Sequence, residues 1–64
     1  MDWSKCIKKL RNNLLVTQSE LAKILGVSFA SINRWENGHH EPTMSVKRKI
    51  RQLCLEHDID IRNI

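Results

Sequence analysis

The feature that most constrains this chain is a glycine placed between two short helical patterns. In the first pattern, Leu21, Ala22 and Leu25 share one helix face, because residues one, three and four positions apart lie on the same side of an α-helix. Gly26 then interrupts the pattern, at a point where a sharp turn after a helix needs a positive φ. A second short pattern begins after Ser28. The stretch therefore predicts two short helices joined by a tight turn.

Capping residues support this arrangement at both helix starts. Thr17 and Glu20 have the spacing of a capping box, in which each side chain accepts a hydrogen bond from the backbone N–H of the other residue. Ser28 is a favourable N-cap for the second helix, and Asn37-Gly38 supplies a left-handed stop after it. Together with the glycine, these residues predict a helix-turn-helix over residues 17–38.

Amphipathic patterns flank the central pair. Asp2 can cap a first helix, and we expect residues 12–16 to connect that helix to the capping box. The apolar positions of the first helix are Trp3, Ile7, Leu10 and Leu14. After Pro42, Thr43 can cap a further helix, whose core-facing positions are Val46, Ile50, Leu53 and Cys54. We interpret the basic run at residues 47–51 as a solvated face of that helix, in preference to a DNA contact.

The end of the chain gives no single prediction. From residue 56 to 64, isoleucines alternate with charged and polar residues. This pattern leaves open a final helical turn, a short strand that pairs with another copy, or a frayed end.

Length and charge limit the classes of function. A chain of 64 residues, with 41% hydrophobic and 28% charged residues, is expected to form one globular domain over residues 1–64. Its formal net charge of +4 suits a nucleic acid or another anionic surface. The sequence shows neither a long apolar run nor a secretion signal, so we expect no membrane span and a cytoplasmic protein.

Two cysteines stand far apart in the sequence. Without a secretion signal, we expect Cys6 and Cys54 to be reduced and buried as small hydrophobic residues. A disulfide between the helices at the two ends is the alternative. The other candidate ligands for a structural zinc ion are His39, His40 and His57. They supply no second closely spaced pair, so we expect no metal and no cofactor.

A family resemblance extends over most of the chain. The stretch LRNNLLVTQSELAKILGVSFASINRWENGHHEP resembles the Cro/repressor-type helix-turn-helix of the Xre family, which includes phage repressors and bacterial transcription factors. The resemblance covers about residues 7–55 and includes T-Q-x-x-L-A, the glycine turn and S-x-x-x-I-x-R-W-E-N-G. It implies an all-α fold, a compact bundle of four or five helices whose second and third helices bind DNA.

The resemblance also implies roles for individual residues. Gln18 would cap the first DNA-facing helix and touch a phosphate, while Arg11 and Glu36 would form a structural ion pair between the first and third helices. The implied base-reading positions are Ser28, Phe29, Ala30, Asn33 and Arg34. The implied phosphate contacts are Gln18, Asn37, His39 and His40, and Lys23 adds positive charge to this set.

Side-chain chemistry suggests how the recognition helix would read bases. Arg34 is the long multi-donor residue, so we expect a bidentate contact to guanine, and Asn33 could pair with adenine. Phe29 and Ala30 cannot donate hydrogen bonds from their side chains, but they can pack on thymine methyl groups. The alternatives are that Arg34 binds phosphate or stacks on Trp35, and that Phe29 belongs to the core. We expect Trp35 itself in the core.

These features favour a sequence-specific regulator of transcription, most simply a repressor that binds double-stranded DNA as a homodimer. One alternative is an antitoxin or controller that binds a protein partner through Phe29, Trp3 or the isoleucine tail. Another is a module of a longer protein. We expect no enzyme, because the sequence shows no paired carboxylates, no nucleophile spaced from a base and no phosphate-binding glycine loop.

The histidines in the loop predict a pH dependence. Many relatives carry Lys or Arg where this chain has His39 and His40, and histidine is charged only below about pH 6.5. Because positive charge near phosphates raises affinity, we expect tighter DNA binding at about pH 5.5 than at about pH 7.5. Fluorescence anisotropy with one duplex at fixed salt measures this, and a variant with both histidines changed to Gln should lose the dependence. Equal affinity at the two pH values would contradict the prediction.

Overall fold

A computed structural model describes residues 2–62 as an all-α fold, which confirms the predicted fold class. Within that range the chain forms four helices, α1 Trp3–Leu14, α2 Gln18–Leu25, α3 Phe29–Glu36 and α4 Met44–Glu56. Within the same range, no helix has both the length and the apolar character that a membrane span needs.

The first helix spans its whole apolar pattern, from Trp3 to Leu14, and the connection after it is shorter than expected. The Asp2 side chain caps α1 by accepting a hydrogen bond from the Lys5 N–H at 3.3 Å. The helix continues through Leu14, so residues 12–14 are helical and the connection that we placed at 12–16 shrinks to Leu15 and Val16. Leu15 ends the helix in the left-handed conformation, with φ 57°.

Local chemistry builds the central pair of helices. The Thr17 hydroxyl accepts the Glu20 N–H at 3.1 Å, and the Glu20 carboxylate accepts the Thr17 N–H at 2.9 Å. This second hydrogen bond stabilises the charged form of Glu20 and lowers the pKa of its carboxyl group. Gly26 makes the turn after α2 with φ 71°, and Ser28 then caps α3. Two helices with a tight turn between them thus occupy residues 18–36.

One hydrophobic core joins the helices. It contains Cys6, Ile7 and Leu10 of α1, Leu21, Ala22 and Leu25 of α2, Ile32 and Trp35 of α3, and Val46, Ile50 and Cys54 of α4. Helix α3 packs against α1 and α2, and α4 packs against α1 and α2. Trp35 is buried in this core, as its helical spacing from Ile32 predicts.

The two cysteines are free thiols in the core, which confirms the expected reduced and buried state. Cys6 lies beside Cys54, and burial, followed by the effect of the neighbouring thiol, raises the pKa of Cys6 to about 12. Burial is also the largest cause of the raised pKa of Cys54. Both groups therefore stay protonated near neutral pH and join α1 to α4 as small apolar side chains.

The chain after α4 folds back over the core. His57 and Asp58 form a turn, and Ile59 and Ile61 then pack against the core without regular secondary structure. The Ile59 N–H donates to the Cys54 carbonyl at 2.8 Å, and the Lys9 ammonium donates to the Asp60 carbonyl. Within the described range the segment thus continues α4 as a turn at residues 57–58 and then as a stretch packed on the core, and not as a frayed end. The last two residues of the predicted tail lie outside the described range.

The left-handed residue after α1 predicts a stabilising substitution. Leu15 has 89% of its surface exposed, so its side chain gains little from burial while its φ carries a steric cost. Glycine removes this steric cost, but it also has a larger backbone entropy in the unfolded chain, which opposes the gain. We expect Leu15→Gly to raise the free energy of unfolding by about 0.5–1 kcal/mol as the net result. Urea denaturation measures the change. The matched control, Lys8→Gly at an exposed helical position, should lower stability by about 1 kcal/mol. A loss of stability in Leu15→Gly would contradict the prediction.

Candidate nucleic-acid interface

The third helix has a buried side and an exposed side. Its buried residues are Ile32, Trp35 and Glu36. The exposed residues are Phe29, Ala30, Asn33, Arg34 and, at the C-cap, Asn37, and we call this set the α3 face. Positions spaced by one, three and four residues lie on one side of a helix, so these side chains form a continuous strip about 12 Å long.

The two largest side chains of the α3 face point away from the core. Phe29 has 52% of its surface exposed, so the alternative in which it enters the core is wrong. Arg34 is exposed and makes no ion pair with a carboxylate of residues 2–62. The expected alternative of stacking on Trp35 is also absent there, because the ring contact found in this range joins Lys47 to Trp3. The guanidinium of Arg34 is thus available to a ligand.

Ser28 lies at the start of this face but has a structural task. Its hydroxyl oxygen accepts the Ser31 N–H at 3.1 Å and lies 3.0 Å from the Ser31 hydroxyl. The side chain is exposed, yet its position is fixed by the cap. Because the Ser28 hydroxyl already accepts one hydrogen bond in the cap, only its remaining hydrogen-bonding capacity is available to a ligand.

The start of the second helix offers backbone donors. The resemblance implies that Gln18 caps α2, but Thr17 takes that position and forms with Glu20 the capping box that the sequence predicts. Gln18 is instead the first helical residue and is half-buried. The N–H groups of Gln18 and Ser19 precede the first hydrogen bonds within the helix, so they are suited to an anion. Lys23 is exposed further along α2.

The loop after α3 brings histidines near carboxylates. Gly38 turns the chain with φ 77°, and His39 and His40 follow as exposed residues. They line a shallow cleft together with Asp2 and Glu41. These carboxylates offset part of any positive charge that the imidazoles gain.

An ion pair fixes the C-terminal end of α3. The Arg11 Nε donates to Glu36 Oε2 at 2.8 Å, and a terminal guanidinium nitrogen donates to Oε1 at 3.2 Å. The Glu36 side chain is only 4% exposed, whereas Arg11 is 26% exposed. The hydrogen bond to Glu36 is the main reason why the pKa of Arg11 lies above its ordinary value. The Ser4 hydroxyl also donates to the Glu36 carbonyl oxygen at 2.6 Å, a contact that the sequence analysis missed.

Two cations of the basic run have partners within the fold. The Lys47 ammonium lies 2.9 Å from the Glu41 carboxylate and 5.3 Å from the centre of the Trp3 ring. The Lys49 ammonium donates to the Leu25 carbonyl at 3.2 Å, where the negative end of the α2 dipole lies. Arg48 and Arg51 remain exposed. Both line a groove that no residue of α3 lines, so these two arginines belong to a surface other than the α3 face.

Comparison with known proteins adds independent findings. Residues 7–54 match the protein family described as Helix-turn-helix. Over 37 residues the chain is 49% identical to the HTH-type transcriptional regulator DicA of Escherichia coli strain K12. That match covers 58% of this chain and 27% of the relative, so the matched region spans about a quarter of the relative's length. No solved structure matches the chain significantly.

The unequal burial of the ion pair predicts unequal effects of its two substitutions. Arg11→Met leaves the buried Glu36 carboxylate without its partner, and we expect a loss of about 3–5 kcal/mol in the free energy of unfolding. Glu36→Gln leaves Arg11 with access to water and keeps a hydrogen-bond acceptor, so we expect only about 1–2 kcal/mol. The double variant Arg11→Met/Glu36→Leu should recover most of the loss. Chemical denaturation measures all three, and equal costs for the two single variants would contradict the prediction.

Proposed function

The chain belongs to the helix-turn-helix family, and we propose that it regulates transcription by binding double-stranded DNA through α2 and α3. The observation that carries this proposal is the α3 face, an exposed strip on a helix fixed by a cap at one end and an ion pair at the other. A helix of this kind fits the major groove, where base edges can be read. The name of the E. coli relative, a transcriptional regulator, supports the same function.

The side chains of the α3 face suit direct reading of bases. The exposed Arg34 guanidinium has the paired donors that guanine O6 and N7 accept. Asn33 can both donate to and accept from adenine, and the apolar Phe29 and Ala30 suit thymine methyl groups. Ser28 contacts DNA at the start of the helix through what remains of its hydroxyl capacity. We therefore propose a site in which a G·C pair lies near A·T pairs.

Phosphate contacts would supply most of the affinity. We propose that the backbone N–H groups at the start of α2, together with the Gln18 side chain, bind one phosphate. Lys23, Asn37 and the histidine loop at residues 39–40 are exposed and add contacts to the backbone on either side. These contacts carry no sequence information, but they fix the helix in register with the groove.

A single domain of this size contacts few base pairs. We propose that two copies bind half-sites one helical turn apart, about 34 Å, and that occupation of a promoter represses transcription. Selection of the purified chain against a randomised duplex pool at moderate salt tests both points. An enriched inverted repeat with this spacing is the expected result. An enriched single half-site would reject the dimer, and the absence of enrichment would reject sequence-specific binding.

The role of Arg34 can be tested on the selected site. If Arg34 reads guanine, Arg34→Ala should weaken binding by about 1–3 kcal/mol and relax the preference at one base position. Binding to the selected duplex and to its single-base variants, measured by anisotropy, gives both quantities. The matched control is Lys8→Ala, an exposed cation of α1, which should leave the preference unchanged. A uniform loss across all duplexes would instead make Arg34 a phosphate contact.

A further inference from the structure

A groove separate from the α3 face runs along α4. It encloses about 770 Å³ between α4, the start of α1 and the segment after α4, and no residue of α2 or α3 lines it. We define the α4 groove by six of its lining residues. These are Trp3, Met44, Arg48, Arg51, Leu55 and Ile61.

The wall of the α4 groove exposes apolar side chains. Met44 and Leu55 lie three helical turns apart on α4, and 61% and 66% of their surfaces are exposed. Trp3 and Ile61, both half-buried, extend the apolar surface on either side. Single exposed apolar residues are ordinary on a protein surface, but several exposed apolar side chains that line one groove are typical of a binding site.

The α4 groove also carries positive charge without an ion-pair partner. Arg48 and Arg51 are exposed one helical turn apart, and neither forms an ion pair within residues 2–62. The other two cations that line the groove are neutralised by neighbours. Lys47 pairs with Glu41, and Arg62 pairs with Asp60. Met44, Arg48, Arg51 and Leu55 follow one another at helical spacing, so one stripe of α4 presents two unpaired arginines between two apolar side chains, with Asp58 as the remaining carboxylate of the lining.

The positions of these charges disfavour a second copy as the occupant. A two-fold contact that packs Met44 of one α4 against Leu55 of the other places Arg48 opposite Arg51 in an antiparallel pair. Like charges placed opposite each other across an interface oppose association. A second copy would thus bring four arginines together at the centre of the contact.

The apolar wall disfavours DNA. Phosphates would match Arg48 and Arg51, but a duplex backbone offers no side chain for Met44 and Leu55 to pack against. A helical peptide that carries carboxylates between apolar side chains on one face satisfies both requirements. Helical segments of this kind bind grooves through apolar anchors spaced one turn apart.

We propose that the α4 groove binds an acidic amphipathic helical segment of a partner protein. Its carboxylates contact Arg48 and Arg51, and its apolar side chains pack against Met44, Leu55 and Trp3. This interaction goes beyond the proposed DNA binding. Because the groove contains no residue of α2 or α3, the partner and DNA can bind at the same time.

The test uses the full chain and a designed peptide. The probe is a fluorescein-labelled helix of about 14 residues, four turns, with two Leu three turns apart and two Glu between them on the same face. We expect it to bind in an anisotropy titration, and we expect a peptide with Lys in place of Glu, or a polyglutamate of equal length, not to bind. A duplex carrying the selected site, added at saturation, should leave the affinity for the acidic peptide within about twofold.

Matched variants assign the binding to the groove. Arg48→Glu/Arg51→Glu should weaken binding of the acidic peptide by at least about tenfold, because two charge-assisted contacts are lost. Leu55→Ser should weaken it as well. Lys5→Glu/Lys8→Glu removes two exposed cations with the same spacing from α1 and should leave the affinity within about twofold. Circular dichroism melts establish that each variant remains folded.

Four results would overturn the proposal. The first is an equal loss of peptide binding in the α1 and α4 charge variants. The second is binding of polyglutamate with the same affinity as the acidic amphipathic peptide. Both results would indicate attraction by net charge alone. The third is displacement of the peptide by the duplex. The fourth is a dimer in sedimentation that Leu55→Ser dissociates while the acidic peptide fails to bind, which would assign the groove to a second copy.

Discussion

The ion pair between Arg11 and Glu36 holds α3 in place. Glu36 ends α3 with a carboxylate that is almost fully buried, and a charge in that position needs a partner. Arg11 of α1 supplies two hydrogen bonds to it, and the Ser4 hydroxyl bonds the carbonyl of the same residue. An apolar contact would tolerate small rotations, whereas this directional set fixes both the axial rotation and the height of α3 against α1.

That constraint determines which side chains are exposed. With Glu36 turned inwards, helical spacing places Ile32 and Trp35 in the core and leaves Asn33 and Arg34 on the outside. The Ser28 cap fixes the other end of the helix. Packing thus produces a rigid strip of exposed side chains on a helix of only eight residues. Such rigidity favours recognition, because less conformational entropy is lost on binding.

The cations of the chain divide into those with partners and those without. Lys47 pairs with Glu41, and Lys49 donates a hydrogen bond to the last carbonyl of α2. Arg34, Arg48 and Arg51 are exposed without an ion pair in the described part of the chain, and they lie on two different surfaces. The net charge of +4 therefore does not describe one basic patch. This distribution is why we assign DNA to α3 and a peptide to α4.

Features with a local cause could be predicted, and features that depend on distant residues could not. The cap and turn roles of Thr17, Gly26 and Ser28 could be predicted because caps and turns depend on neighbouring residues. Helical spacing identifies most of the core. By contrast, Lys9 and Asp60 are 51 positions apart, so no local pattern indicates that the last segment folds back over α1.

Two local errors concern the ends of helices. The resemblance assigns the cap of α2 to Gln18, although the capping box places Thr17 there. The connection after α1 was placed too early, at residue 12, because Leu15 ends the helix in a left-handed conformation that usually favours glycine or asparagine. The base-reading and phosphate-binding roles of individual residues are still predictions, since they depend on a ligand.

The most direct test of the account maps the DNA-binding surface in solution. Backbone amide resonances of the ¹⁵N-labelled chain would be followed by NMR during titration with the selected duplex. The account predicts that the largest shifts occur at the start of α2, along α3 and in the loop at residues 37–40, while the amides around the α4 groove change little. Largest shifts along α4, at Arg48 and Arg51, would contradict it and would place the DNA on the other surface.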